Sequence, residues 1–192
     1  MNWYGQLLQD KWVVETLGYK QGGYFLDLGA FDGEIFSNTL VLERDLFWRG
    51  ICVEAGENNF KKLAELRKCT CLNMVLSSRD GEEGFCENWT VGKVDIAGKM
   101  TPAISLPTLL RLYDVPKRID YISLDVEGQE YEVLNMFPFR RYRSSLWTIE
   151  HNQEEDDGAR RDLIREIMYK HNYKIAQEYS FEDWFYDNEY TY

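Results

Sequence analysis

Carboxylates in this chain fall where short apolar runs stop. Tyr24-Phe25-Leu26-Asp27-Leu28 runs into Gly29, and Gly50-Ile51-Cys52-Val53 ends at Glu54. Ile119 to Leu124 ends at Asp125-Val126-Glu127-Gly128, and Ser145 to Ile149 ends at Glu150-His151-Asn152. Asp27-Leu28-Gly29-Ala30-Phe31-Asp32-Gly33 has the order strand, glycine turn, helix, which lets backbone approach a ligand. A dinucleotide turn would carry glycine where Phe31 stands, and Asp27 and Asp32 would repel a pyrophosphate. Acids beside a glycine turn suit a ligand with a cationic part, such as an α-ammonium. Glu54 stands about where an acid accepts hydrogen bonds from ribose hydroxyls. A ligand with a ribose, an ammonium and no pyrophosphate is S-adenosylmethionine.

The second pair of ends carries different chemistry. Asp125, Glu127 and Glu130 cluster after one apolar run, and Glu150, His151 and Asn152 close the next. On adjacent parallel strands these ends share a pocket. Asp125, Glu150 and His151 are then expected as ligands for Mg²⁺ or Mn²⁺. The same residues allow a metal-free route, with His151 as general base and Asp125 or Glu150 orienting it. His171 is expected to be structural.

These ends need elements to hold them. Helical spacing of apolar residues is expected over about 3–17, from Ser37 (a candidate cap) to about Phe47, at Phe60, Leu63, Ala64 and Leu66, over Leu106–Tyr113 and Gln129–Phe137, and around Leu163–Met168. Strands are expected at Tyr24–Leu28, Gly50–Glu54, Thr70–Leu76, Ile119–Leu124 and Ser145–Ile149. A hairpin is expected within Glu82–Lys99, and a terminal one at Lys174–Tyr179 and Trp184–Asp187. Strands alternating with helices imply βαβ units and a mostly parallel buried sheet, which binds ligands at the carboxyl ends of its strands.

The chain of 192 residues has room for one domain, with residues 1–20 as a helix preceding the first strand. Lys and Arg number 22 against 33 Asp and Glu, a net charge of −11 that disfavours nucleic acid as a partner. No apolar run is long enough to span a membrane, and the first residues lack the pattern of a secretory signal. A cytoplasmic protein with four reduced thiols is therefore expected. Cys69-Thr70-Cys71 has no second pair at zinc spacing. Trp89, Trp184, Phe185, Tyr186, Tyr190 and Tyr192 could stack on a sugar, although aromatics in a terminal hairpin more simply pack it. Glu154-Glu155-Asp156-Asp157 fits a solvated loop before a helix, and Arg140-Arg141-Tyr142-Arg143 fits a surface patch.

Three segments together resemble the FkbM-type S-adenosylmethionine-dependent methyltransferases. They are Gly23 to Glu34 with Ser37-Asn38-Thr39, Trp48 to Ala55, and Ile119 to Glu130 with Val133-Leu134; the last holds Asp125-x-Glu127-Gly128-x-Glu130. The resemblance implies the α/β class I methyltransferase fold: a Rossmann-like, seven-stranded, mostly parallel sheet with its last strand antiparallel and helices on both faces. It implies that Asp27, Gly29 and Asp32 line the methionine portion of the cofactor. Ser37 and Asn38 would reach its carboxylate or the nearby acid, Glu54 its ribose and Ser77 its adenine. The acceptor would be a hydroxyl of a sugar, glycan or small natural product. The acids after the fourth and fifth strands are similar to the metal-holding set of catechol-type O-methyltransferases. A non-catalytic binding module and a nicotinamide oxidoreductase are the competing expectations.

Overall fold

The computed structural model describes residues 1–88, 91–95, 97–152 and 157–189. Trp89, Tyr190, Tyr192 and Glu154–Asp156 lie outside the described residues. The element order is α1 (Gln9–Thr16), β1 (Tyr24–Leu28), α2 (Leu40–Leu46), β2 (Arg49–Val53), α3 (Glu57–Leu66), β3 (Thr70–Leu72), β4 (Val75–Ser77), β5 (Gly81–Asn88), β6 (Val91–Val94), β7 (Lys99–Ser105), α4 (Leu106–Leu112), β8 (Arg118–Leu124), α5 (Glu130–Asn135), β9 (Arg143–Glu150), α6 (Ala159–Lys170), β10 (Tyr173–Glu178) and β11 (Glu182–Asp187).

The main sheet has seven strands in the order β10-β11-β9-β8-β1-β2-β3. β1 pairs in parallel with β2 and β8, β2 with β3, and β8 with β9, while β11 runs antiparallel to β9 and β10. This is the topology the resemblance implies. Strand order turns back between β1 and β8, so a crevice opens there at the carboxyl ends.

The side-chain period of a strand explains the two cores. Leu26 and Leu28 of β1 join the cluster under α4, α5 and α6, while Phe25 faces Val13, Val14, Val41, Leu42 and Leu63 of α1, α2 and α3. All of these side chains are buried. Leu109, Leu110, Val133, Leu134, Ile164 and Met168 supply the helix side of the first layer at helical spacing.

One strand expectation is corrected. Thr70–Leu76 does not form a single strand: it breaks after Leu72, and β4 leaves to join a separate four-stranded sheet, β4-β7-β5-β6. Asn73 sits in the break, where its side-chain amide donates to the carbonyls of Glu54 and Ala55 at 2.9 and 3.0 Å. An asparagine satisfied by the loop after β2 has no reason to continue a ladder. The hairpin expected in 82–99 is β5 with β6, extended by β7.

The aromatics of the terminal hairpin pack it. Trp184 and Phe185 are buried, and Trp184 lies against Trp12 and Tyr179 with ring centroids 4.9 and 5.0 Å apart. His171 stacks on Phe139 at 4.0 Å, a structural position. Arg143 pairs with Asp187 and covers the Tyr173 ring. No helix among the described residues is long and apolar enough to cross a membrane.

Candidate active site

A cavity of about 350 Å³ opens at the carboxyl ends of β1, β2, β8 and β9. Asp27, Gly29, Ser37, Asn38 and Glu54 line one part of it, and Asp125, Glu127 and Glu150 another.

The turn after β1 is fastened on both sides. Gly29 and Ala30 N–H donate to the Val53 carbonyl at 2.9 and 3.0 Å, and Asp125 N–H donates to the Leu28 carbonyl at 2.9 Å. Gly29 has φ 96°, and a Cβ there would lie 1.6 Å from the Asp125 carbonyl oxygen. Only glycine lets the two strand ends approach this closely.

Glu54 is held by backbone. Its carboxylate accepts from Phe31 N–H at 2.9 Å and from Gly56 N–H at 2.7 Å. Burial nonetheless pushes its pKa up to about 7, against those two bonds. Asp27 accepts from the Thr39 hydroxyl at 2.5 Å. Burial pushes it up to about 6, opposed first by the Arg67 guanidinium and then by Thr39. Arg67 has no exposed side-chain surface and ties the neighbourhood together. It donates to Glu43 at 2.5 Å, to Thr39 Oγ1 at 2.9 Å and to Ser37 Oγ at 3.4 Å. Ser37 Oγ accepts from Leu40 N–H at 3.1 Å in the turn before α2, whose N-cap is Thr39 rather than the Ser37 the sequence suggested. Asn38 donates to Ser123 Oγ at 3.0 Å, and its own carbonyl oxygen is buried without a partner.

At the other end, one oxygen each from Asp125, Glu127 and Glu150 lie within 4.8 Å of one another. Burial, then the charge of Glu150, pushes Asp125 well above the usual carboxylate range. Burial pushes Glu150 up to about 7, opposed by its hydrogen bond with Asp125. A proton held between the two carboxyls relieves this mutual repulsion. Asp125 Oδ1 is shut off from solvent with no partner. Glu130 stands apart from this group. It is fully buried and accepts from Val126 and Gly128 N–H at 2.9 and 3.0 Å, which locks Glu127 at φ 55° and Gly128 at φ 100°. The run Asp125 to Glu130 thus divides into acids that face the cavity and one that shapes the loop.

Three expected site residues are placed elsewhere. His151 directly follows Glu150, the last residue of β9, and successive residues of extended chain face opposite sides. With Glu150 toward the cavity, the His151 ring is buried 3.7 Å from Asp183, which Arg165 holds at 2.7 and 2.8 Å. It stands neither in the cavity nor among the three acids, so the roles expected of it as base and ligand are corrected. Asp32 closes its own turn, accepting from Glu34 and Ile35 N–H at 3.1 and 2.9 Å, and does not line the cavity. Ser77 donates to Glu83 at 3.1 Å, while Met74, Val75 and Leu76 line the cavity in its stead.

Residue types did not reveal Arg67, Thr39, Glu182 or Phe85. Arg67 follows α3 and looks like a surface cation until Glu43, Thr39 and the Phe25 ring enclose it. Glu182, pushed up to about 7 by burial, lines the cavity and accepts from both Gln9, at 3.1 Å, and Trp184.

Comparison with known proteins agrees with this architecture. No curated protein matches the chain. Among solved structures, a methyltransferase FkbM from Methylobacillus flagellatus KT superposes with a TM-score of 0.58 at 11% identity, over 86% of this chain and 43% of that one. The chain thus spans less than half of that protein's length. The N-terminal domain of human METTL16 gives 0.56 at 11% identity over 97% of this chain and 70% of that one. A precorrin-6y C5,15-methyltransferase from Geobacter metallireducens gives 0.52 at 12% identity over 94% and 86%. At these identities the structures establish the fold alone. The family profile described as methyltransferase FkbM domain matches residues 27–175, from the acid of β1 into β10, and the chain belongs to that family.

Proposed function

We propose that the cavity binds S-adenosylmethionine and that the protein transfers its methyl group to a hydroxyl of a sugar, glycan or small natural product. The observation that carries this proposal is the Glu54 carboxylate. Two backbone N–H groups fix it at the end of β2, and each oxygen keeps a lone pair for a ribose hydroxyl. Asp27 at the end of β1 faces the α-ammonium, and Gly29 lets the sulfonium pass close to backbone. The orphaned Asn38 oxygen accepts from the same ammonium. Met74, Leu76 and Phe85 give the adenine an apolar seat. Two carboxylates and a cavity rimmed by Ile35 and Phe36 suit this cofactor better than a pyrophosphate.

The acceptor enters past Phe36 and Phe181. Its hydroxyl lies in line with the methyl group and loses its proton to Glu150, whose pKa near neutrality suits a general base. Asp125 keeps its own proton and holds Glu150 in place. The three clustered oxygens also fit a hard divalent cation. Asp125, Glu127 and Glu150 would hold it, and it would acidify the acceptor hydroxyl.

Calorimetry with S-adenosylmethionine and with NAD tests the cofactor: saturable binding of the first alone is expected, and binding of NAD alone would overturn the reading. A screen of glycans and small alcohols with labelled methyl donor tests the transfer. Absence of label on every acceptor, with the cofactor bound, would favour a non-catalytic binding module. Full activity in a chelator leaves Glu150 as the base, and lost activity restored by Mg²⁺ or Mn²⁺ assigns the three acids to a cation.

A further inference from the structure

Behind the cofactor end of the sheet, three thiols meet. Cys52 of β2 is the register partner of Asp27 in β1 and of Cys71 in β3. Its Sγ lies 3.4 Å from Cys69 Sγ. Cys52 is buried, while Cys69 and Cys71 are half-buried, so a small oxidant reaches the outer two. Hydrogen bonds from Cys52 and then Cys69 pull Cys71 down, with the Arg67 guanidinium acting the same way, whereas Cys69 is raised and burial pushes Cys52 up. The three thiols lie beside the Arg67 guanidinium, which favours a thiolate in each case.

We propose that Cys52 and Cys69 form a reversible disulfide, an oxidation site that controls the grip on the cofactor. The oxidant is of the peroxide class. Cys71, the thiol pulled down, takes the Cys69 proton; the Cys69 sulfur attacks one peroxide oxygen, the O–O bond breaks, Cys69 becomes a sulfenic acid, and the departing hydroxide takes the proton from Cys71 and leaves as water. Cys52 sulfur then attacks Cys69 sulfur. The S–S bond forms, and the sulfenic hydroxyl leaves with the Cys52 proton as water. Two thiols and one hydrogen peroxide give one disulfide and two waters.

Closing the gap from 3.4 Å to about 2.05 Å draws the segment at Cys69 toward β2. That segment is tethered. Cys69 and Lys68 N–H donate to Glu43 at 2.8 and 2.6 Å, Glu43 accepts from Arg67, and Arg67 donates to Thr39, which donates to Asp27. The pull therefore reaches the carboxylate assigned to the cofactor's ammonium; this half of the inference rests on the proposed cofactor site.

The test oxidises the full chain with hydrogen peroxide, alkylates free thiols, maps linked peptides by mass spectrometry and measures S-adenosylmethionine binding by calorimetry, all repeated after dithiothreitol. A Cys52–Cys69 peptide that disappears on reduction is expected, with affinity lowered about tenfold in the oxidised protein. Cys69→Ser and Cys52→Ser should lose both responses, and Cys71→Ser should keep the link. No link, or a link through Cys71, overturns the site. A Cys52–Cys69 link with unchanged affinity overturns the control. If the reduced protein binds no cofactor, the proposed function fails while the peptide map still decides the disulfide.

Discussion

The two ends of the cavity hold similar numbers of acids and treat them in opposite ways. At the β1–β2 end every carboxylate has donors: Glu54 takes two backbone N–H groups, and Asp27 takes a hydroxyl backed by Arg67. At the β8–β9 end, Asp125 and Glu150 face each other; Glu150 has one side-chain donor, the Asn152 amide at 2.9 Å, and one oxygen of Asp125 has none. Acids held by donors keep fixed positions and suit recognition. Acids set against each other must hold a proton or a cation between them, and that suits chemistry at a hydroxyl. On the proposed function, backbone N–H groups go to Glu54 at the binding end and, among the described residues, not to Asp125 or Glu150 at the reacting end.

The harshest way to break this division is to push its halves apart. Gly29→Ala places a Cβ 1.6 Å from the Asp125 carbonyl in a backbone conformation that alanine resists. We expect a loss of about 3 kcal/mol in stability, read by denaturant titration, together with loss of cofactor binding. A variant that unfolds like the parent would show that the strand ends do not need this contact. One step milder, Asp27→Ala should weaken S-adenosylmethionine about a hundredfold by calorimetry, the scale of a lost hydrogen bond to a charge. Asp125→Ala should leave that affinity within a few-fold while turnover falls at least about a hundredfold. If both variants lose the same quantity, the division is wrong.

The parts legible in the sequence follow from this geometry. Acids at the ends of apolar runs, Asp27, Glu54, Asp125 and Glu150, were visible because strand ends in such sheets point at ligands. Alternation, carried one residue past β9, would also have turned His151 away from Glu150, whereas Ser77 shares a face with cavity-lining Val75 and is drawn off by its bond to Glu83. Asp32 was hidden by local chemistry: an aspartate two and three residues before free N–H groups closes its own turn. Arg67 and Glu182 were illegible for another reason. Their roles depend on contacts between distant segments, Arg67 with Glu43 and Thr39, Glu182 with Gln9, and residue type carries no trace of such pairings.

The comparison sharpens with pH. Asp27 and Glu54 are raised to about 6 and 7, above their ordinary values of 3.8 and 4.5. Between those limits the folded protein holds protons that the unfolded chain has released. Stability without ligand should therefore fall as pH rises from about 4 to 8. Cofactor affinity should move the other way, rising at least about tenfold from pH 5 to pH 8 as the carboxylates ionise. Denaturation and calorimetry across that range check both slopes, and parallel slopes would remove these acids from the cofactor's grip.

The smallest effect belongs to His151. Its ring is buried beside Asp183 on the side of β9 away from Glu150, and Arg165 already neutralises that aspartate. His151→Gln should cost about 1 kcal/mol of stability from imperfect packing, and turnover should stay within about twofold at every pH. A base would be missed far more, by about two to four orders of magnitude. The pH–rate profile decides the matter. If it keeps its inflection near 7 in the variant, the proton goes to the Asp125–Glu150 pair. If the inflection disappears with the imidazole, the reaction end of the cavity extends through β9 to its far side.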